Sequence, residues 1–311
     1  MTFDLIIIGG GPAGTAASIY ASRKQLKTLL ITKEFGGQSV VSEDIQNWIG
    51  FPSISGADLA KSFKEHVEKY KGDVLEIKEG EYAEMVEKTD IGFSVKTNKA
   101  TYDTKTVLIV TGSHRRQLTV PGADRLEHKG LTYCASCDGP LFSGQDVAVI
   151  GGGNAAFETA SQLLAYAKSV TLLNRSDVFK ADEITVNKVL SHPNMKAIKG
   201  AELLEILGDN FVSGLKYKIN DEEQELAVAG IFAEIGSIPT TGFVDGLVEM
   251  TEYKQIKVDP KTQQTSLPGI WSAGDCTDGL YHQNNIAAGD AVKALEDIYL
   301  YLNAKIGRAH V

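Results

Sequence analysis

Leu5-Ile6-Ile7-Ile8 is an unbroken apolar run, and three glycines follow it at once. A short, β-branched run of this kind predicts a strand buried on both faces, over residues 3–8. A helix is expected from about 12 to 23, with small residues on its packed side, and a second strand over 27–32 completes a βαβ unit. Gly36-Gly37 then breaks the chain. Residues 57–71 carry apolar positions at helical spacing. Alternating segments at 73–77, 82–87, 92–97 and 100–103 predict antiparallel strands, and a further strand at 106–111 ends in Gly112. The pattern then restarts. A buried strand at 146–150 runs into three glycines, a helix to about 167 and a strand at 169–173. A helix near 181–190, a meander to about 228 and a strand at 229–234 follow. After a break at Gly236-Ser237-Ile238-Pro239 come short strands at 256–258 and 270–272 and a long helix over 287–302. Two βαβ units with other material between them predict an α/β protein with two Rossmann-like nucleotide-binding domains.

Composition narrows the class. The chain has 311 residues, 43% of them hydrophobic, which is enough to fill two cores. Its net charge of −9 argues against a nucleic-acid partner, which needs clustered Lys and Arg. No apolar run nears the roughly 18 residues of a membrane span, and no signal segment is visible, so a cytoplasmic protein is expected. Three cysteines cannot staple a secreted scaffold. The last six residues, 306–311, translate one frame of a sequencing-library adapter. They are expected to be an assembly artefact, with the true C-terminus lost, and carry no functional argument.

Four motifs carry candidate chemistry. Gly9-x-Gly11-x-x-Gly14 follows a strand and opens a helix, the context of a dinucleotide fingerprint. One glycine turns the chain, one lets the main chain approach a pyrophosphate, and one lets the helix pack closely. Thr32 stands where a ribose-binding carboxylate is common, with Glu34 two residues on. Gly151-x-Gly153-x-x-Ala156 is the second fingerprint. Its second strand ends without a carboxylate, while Arg175 and Lys180 either pair with a 2′-phosphate, favouring NADPH, or lie on a solvated face. Cys134-Ala135-Ser136-Cys137-Asp138 can close a small disulfide or ligate a metal. Zinc needs about four ligands, and Cys276 is the only other cysteine, so no metal is expected. In a redox pair one thiolate attacks, the other resolves, and Asp138 can donate a proton to a leaving thiolate. Gly274-Asp275 precedes the last helix, where the carboxylate either bonds a flavin polyol hydroxyl or caps an ordinary turn. None of the six histidines clusters with a nucleophile or metal-ligand spacing.

In combination, the sequence resembles the low-molecular-weight thioredoxin reductase family of flavoproteins. The matching strings are Gly9–Gly14, Phe35-Gly36-Gly37-Gln38, Asn47-Trp48-Ile49-Gly50, Thr111-Gly112, Tyr133–Gly139, Gly151–Ala156, Gly236–Pro239 and Ala273–Cys276. The segment from Cys137 to Phe142 also resembles the reductase half of the alkyl hydroperoxide reductase flavoprotein. That relative carries extra N-terminal thioredoxin-like domains, and because this chain opens on the first fingerprint a full-length protein of that type is not expected. The resemblance implies an FAD domain over 1–113 and 242–311 and an inserted NADPH domain over 114–241, with hinges at 112–116 and 236–241. It implies FAD contacts at Gly9, Gly11, Pro12, Ala13, Gly14, Gly37, Gln38, Asn47, Thr111, Gly112, Gly274, Asp275 and Gln283. It implies NADPH contacts at Gly151, Gly153, Asn154, Ala155, Arg175 and Lys180. It further implies a homodimer in which electrons pass from NADPH through FAD to a Cys134–Cys137 disulfide. Cys137 is then the thiol nearer the flavin, Cys134 attacks thioredoxin or a thioredoxin-like protein after rotation of the NADPH domain, and Asp138 assists proton transfer.

Three departures from the family pattern matter. The usual His-Arg-Arg and later Arg of the 2′-phosphate motif are Asn174, Arg175, Ser176 and Lys180, so one arginine is lost and another becomes a point charge. The usual Arg-Gln-Ala beside the flavin is His282-Gln283-Asn284, and Ser136 replaces a common Thr. These departures keep open another electron donor, a peroxiredoxin-type partner, an oxygen-dependent dithiol oxidase, and a redox sensor without turnover.

Overall fold

A computed structural model describes residues 2–42 and 45–303, and the suspect tail lies outside the described residues. In chain order the first elements are β1 (Thr2–Ile8), α1 (Pro12–Arg23), β2 (Thr28–Thr32), α2 (Gly56–Tyr70), β3 (Leu75–Glu79), β4 (Ala83–Thr89), β5 (Gly92–Thr97), β6 (Thr101–Ile109) and β7 (Ser113–Arg115). Then come α3 (Ala123–Leu126), β8 (Leu131–Thr132), α4 (Ala135–Asp138), β9 (Asp146–Ile150), α5 (Asn154–Leu163), β10 (Ser169–Asn174), α6 (Glu183–Leu190) and β11 (Met195–Lys199). The chain finishes with β12 (Glu202–Gly208), β13 (Val212–Ile219), β14 (Glu222–Ala227), β15 (Gly230–Ala233), β16 (Ser237–Pro239), β17 (Ile270–Ser272) and α7 (Asn284–Leu302).

The chain divides into two compact units. One runs up to His114 and resumes at Ile238; the other is Arg115–Ser237. The second division falls within the break at Gly236–Pro239, a few residues before the domain boundary expected after residue 241. Thr240 N–H donates to Gly112 O at 3.0 Å and the Thr241 hydroxyl donates to Lys254 O at 2.7 Å, which ties both residues to the first unit.

The first unit is built on a sheet ordered β3-β2-β1-β6-β5-β4, with β17 also on β6. The buried alternation of β1 explains its central place. Leu5 and Ile7 enter the core on one face, and Phe3, Ile6 and Ile8 enter that on the other. Two expectations are corrected here. Residues 100–103 and 106–111 form parts of one strand, β6, which pairs antiparallel with β5 through Thr101–Thr104 and parallel with β17 through Val107–Ile109. Its buried threonines are no break, because Thr104 donates to Thr106 O at 2.9 Å and Thr106 donates to Asp4 O at 2.7 Å. The segment near 73–77, expected antiparallel, is β3, which runs parallel to β2 from Leu75↔Thr28 onward because α2 carries the chain back between them. Residues 256–258 form isolated bridges rather than a strand, and α7 begins at Asn284, a turn earlier than expected.

The second unit has a fully parallel sheet, β11-β10-β9-β15-β8, and a separate antiparallel sheet β12-β13-β14. Its topological switch lies at β9, which has β10 on one side and β15 on the other, and Gly151 follows directly. Phe157 and Phe232 are fully buried in its core. Both units are Rossmann-like, and the fold is α/β with the second unit inserted into the first.

Candidate functional site

In the first unit the chain leaves β1 and enters α1 at Pro12, with Gly11 at the N-cap and no side chain capping the helix. The N–H groups of the first turn therefore have no intrahelical partner and sit at the positive end of the helix dipole. A Cβ at Gly14 would lie 1.8 Å from Gly9 O, so glycine there is a packing requirement. A Cβ at Gly11 would find nothing nearer than Gly37 Cα at 4.0 Å. The two backbones thus line a cradle without side chains, which suits a pyrophosphate. Thr32 is buried and donates to Glu34 O at 2.5 Å, so its hydroxyl closes the loop over Gly10; the exposed carboxylate beyond it is Glu34.

The other first-unit candidates converge on the same edge. Gly274 has φ +77°, and a Cβ there would stand 3.8 Å from Ala13 Cβ and 3.1 Å from Ala287 Cβ, which places this turn between α1 and α7. The half-buried Asp275 side chain makes no hydrogen bond or ion pair among the described residues. The start of α7 is clamped by amides. Asn47 Nδ2 donates to Gln283 Oε1 at 3.2 Å, Asn285 Nδ2 donates to Asn47 O at 2.8 Å, and Asn284 Nδ2 donates to Ser39 Oγ at 2.9 Å. His282 closes the preceding turn, with Nε2 2.9 Å from Gly279 O. Ser39 and Asn285 join this edge without having been singled out in the sequence, where Asn284 stood only as a departure from the family pattern. The available signal was a pair of asparagines, poor helix formers, opening a long helix. Gln38 is exposed beside Gly37, and Thr111 donates to Thr240 O at 2.7 Å next to Gly112. Cys276 is fully buried, and burial pushes its thiol up. A backbone cradle, an uncapped helix start and an uncommitted carboxylate together fit a dinucleotide such as FAD.

The second unit repeats the cradle. A Cβ at Gly151 would lie 2.3 Å from Glu234 O, while one at Gly153 would meet nothing within 4 Å, and α5 starts without a side-chain cap. Ala155 is exposed in the first turn, and the buried Ala156 replaces the packing glycine. Asn154 Oδ1 accepts the Asp182 N–H at 2.9 Å, and Lys180 N–H donates to Gly152 O at 2.7 Å. Asn174 plays the part of Thr32. Its amide fills the space over Gly152 and donates to Ser176 O at 2.7 Å and Val178 O at 3.0 Å. Ser176 Oγ accepts the Val178 N–H at 3.2 Å. Arg175 and Lys180 are exposed and form no ion pair among the described residues. Glu234 is buried at the end of β15, accepting from Thr159 at 2.8 Å and from Arg115 at 3.1 Å. Burial raises its carboxyl above the ordinary carboxylate range, against the pull of Arg115.

Cys134 and Cys137 in this unit form a disulfide, with Cα atoms 5.3 Å apart. Cys134 precedes α4, and its sulfur accepts the Cys137 N–H at 3.2 Å. The Asp138 N–H donates to Cys134 O at 3.0 Å, and its carboxylate accepts the Thr132 hydroxyl proton. The Thr132 oxygen in turn accepts the Cys134 N–H at 3.3 Å. Thr132 was not legible as a site residue. Gly139 ends the motif because a Cβ there would lie 2.1 Å from the Tyr166 hydroxyl, and Ser136 donates to Gln162 at 3.1 Å, so α4 is seated on α5. The pair can exchange two electrons at sulfur, and the carboxyl group of the next residue is held on Thr132, whose oxygen also takes the Cys134 N–H.

No helix among the described residues is long and apolar enough to cross a membrane. A family profile described as pyridine nucleotide-disulphide oxidoreductase matches residues 3–291. The chain is 40% identical over 302 residues to an NADH dehydrogenase of Bacillus subtilis, covering 96% of this chain and 58% of that protein. It is 40% identical over 295 residues to a subunit of the alkyl hydroperoxide reductase of Pseudomonas putida, covering 94% of this chain and 56% of that protein. The chain thus spans a little over half the length of these curated relatives. Among solved structures, thioredoxin reductase from Streptococcus pyogenes matches with a TM-score of 0.88 and 34% identity, covering 97% of this chain and 99% of that one. The chain belongs to the pyridine nucleotide-disulphide oxidoreductase family.

Proposed function

We propose that the chain is a flavin-dependent disulfide reductase that passes electrons from NADPH through FAD to Cys134–Cys137 and on to thioredoxin or a thioredoxin-like protein. The observation that carries this reading is the closed Cys134–Cys137 disulfide with Asp138 beside it, in the same unit as the second fingerprint. FAD would be held by Gly9, Gly11, Pro12, Ala13, Gly14, Gly37, Gln38, Asn47, Thr111, Gly112, Gly274, Asp275 and Gln283. The pyridine nucleotide would be held by Gly151, Gly153, Asn154, Ala155, Arg175 and Lys180. When bound, the flavin supplies a two-electron carrier that accepts hydride from the nicotinamide.

The chain's own residues do the rest. Two electrons break the Cys134–Cys137 bond, and Asp138 delivers a proton to the thiolate that leaves. Cys134 then attacks the partner's disulfide, forming one S–S bond and breaking the partner's. Cys137 attacks Cys134 Sγ, restoring the internal disulfide and releasing the partner as a dithiol once both its sulfurs are protonated. The Cys137 N–H on Cys134 Sγ supports Cys134 as the attacking thiolate, because a donor stabilises negative sulfur. The passages at 112–116 and 236–241 are the proposed hinges for presenting the dithiol. The same reading makes the protein a cytoplasmic homodimer.

A second reading has a specific basis. Asn174 commits its amide to its own loop and Ser176 Oγ accepts the Val178 N–H there, which leaves Arg175 and Lys180 as the exposed cations for a 2′-phosphate. Together with relatives named NADH dehydrogenase and alkyl hydroperoxide reductase, this favours NADH as donor and a peroxiredoxin-linked, thioredoxin-like acceptor. One experiment tests both: purified protein with NADPH or NADH, against thioredoxin and against a peroxiredoxin-type partner. Flavin absorbance should bleach with a reduced nucleotide and stay bleached until a disulfide is added. Cys134→Ser should keep the bleaching and lose partner reduction; full partner reduction in that variant overturns the assignment. Bleaching only by a small dithiol would instead identify a dithiol oxidase.

A further inference from the structure

We propose that Thr132 is a positioning residue for the proton on Asp138, an inference that rests on the proton-transfer role proposed above for Asp138. Thr132 ends β8, where it is the register partner of Phe232 in the parallel sheet, and it is 5% exposed. The sheet holds its backbone, and little water reaches its hydroxyl. That hydroxyl donates to Asp138 Oδ2 and accepts the Cys134 N–H at 3.3 Å. Its proton and one lone pair are therefore both committed to the redox motif, not to its own strand.

The consequence is geometric and then electrostatic. Without a partner, the half-exposed Asp138 carboxyl group could rotate into solvent. The bond to Oδ2 fixes the carboxyl plane and leaves Oδ1 without a protein partner among the described residues. Oδ1 is then the oxygen left to pass a proton to sulfur. When two electrons from the reduced nucleotide reach the pair through the flavin, the Cys134–Cys137 S–S bond breaks. One sulfur leaves as a thiolate and takes the proton from Oδ1. Asp138 is left as a carboxylate, and the Thr132 O–H faces the charge that has just developed. Asp138 regains its proton from solvent before the next cycle. A space-filling role is a different matter, because Val has the shape of Thr and lacks the hydroxyl, which is both the donor to Asp138 and the acceptor of the Cys134 N–H.

The test follows dithiol formation directly. FAD-loaded protein is mixed anaerobically with whichever of NADPH or NADH bleaches its flavin. It is then quenched with N-ethylmaleimide at set times, and the alkylated cysteines are counted by mass. Flavin bleaching is recorded in the same mixing. Asp138→Asn should slow dithiol formation about 100-fold. Thr132→Val should slow it about tenfold, and Thr132→Ser should restore it to within about twofold because the donor returns. The early phase of bleaching, which precedes reduction of the pair, serves as the internal control, and slower dithiol formation should hold the flavin bleached for longer. The double variant Thr132→Val, Asp138→Asn should be no slower than Asp138→Asn alone, since Thr132 acts through Asp138. A wild-type rate in Thr132→Val, a Thr132→Ser variant as slow as Thr132→Val, or effects that multiply in the double variant would each overturn the role of Thr132. A wild-type rate in Asp138→Asn would instead overturn the proton-transfer reading of Asp138, and the inference with it.

Discussion

Thr32 and Asn174 occupy the same place in the two units, at the end of the second strand of each βαβ. Each closes its loop by donating to carbonyls ahead of it, Thr32 to Glu34 and Asn174 to Ser176 and Val178. Each also fills the space over the middle glycine of the fingerprint, Gly10 or Gly152. Neither side chain is therefore available to a ribose, and nucleotide choice passes to the exposed residues beyond. If the second unit holds the pyridine nucleotide as proposed, position 176 is the one to test. Ser176→Arg should lower the KM for NADPH relative to that for NADH by about tenfold, since one charge-assisted bond to a phosphate is worth roughly 1.5–3 kcal/mol. Steady-state kinetics with both nucleotides checks this; an unchanged preference would mean that residue 176 does not face the 2′-phosphate. At this scale the sequence was legible where chemistry is local. Cys134 and Cys137 lie within one short stretch whose spacing allows a small disulfide or metal ligation, and the structure forms the disulfide. Thr132 and the amide of Asn285 were not legible. Thr132 matters because it ends a two-residue strand seated on β15, and Asn285 because α7 returns to Asn47 from far along the chain.

Among the elements, the two strand–glycine–helix turns were read in place because their constraint is steric and short-range. The same constraint predicts a split between two glycines of one motif. Gly14→Ala puts a Cβ 1.8 Å from Gly9 O, with backbone on both sides of the clash. It should destabilise the protein by about 1–3 kcal/mol or more, as overpacking does. Gly11→Ala puts a Cβ where nothing lies nearer than 4.0 Å, and Gly11 has an ordinary φ of −74°. It should fold with an unchanged melting temperature in the flavin-free state and lose FAD. Thermal unfolding and flavin content measure the two effects separately. A Gly11→Ala protein that retains full FAD would remove the cradle assignment. Strand direction was harder to read. The segment at β3 alternates like an antiparallel strand, yet α2 returns the chain so that β3 pairs parallel to β2. Likewise the sequence places a gap in β6 at Thr104-Lys105, where polar residues precede the apolar run from Val107. The hydroxyls of Thr104 and Thr106 bond to nearby main-chain carbonyls and can be buried there. Periodicity reports which face is buried and says nothing of which neighbour supplies the ladder.

For the whole molecule, the repeated fingerprint predicts two Rossmann-like units, and the breaks near 112–116 and 236–241, with the family resemblance, predict that the second is inserted into the first. The structure adds that each unit closes on itself. Within Arg115–Ser237, Arg116 N–H donates to Gly236 O at 3.0 Å, so the two ends of the inserted unit meet. Within the first unit, Thr240 N–H donates to Gly112 O at 3.0 Å, and the Thr111 hydroxyl bonds Thr240 O at 2.7 Å, so its cut ends also meet. The inserted unit has its own core around Phe157, Phe232, Leu131 and Leu215. Adjacent termini and a private core are the conditions for independent folding. Residues 115–237 expressed alone should therefore unfold cooperatively, with a stability of roughly 5–15 kcal/mol. That fragment should bind a reduced pyridine nucleotide and carry no flavin. The remainder, with residue 114 joined to 238 by a short Gly-Ser linker, should retain FAD, because every residue assigned to the flavin lies in the first unit. Denaturant unfolding, flavin absorbance and nucleotide titration of the two pieces decide the matter. A flavin bound to the 115–237 fragment, or lost from the remainder while its fold persists, would reverse the assignment of the two cofactors to the two units.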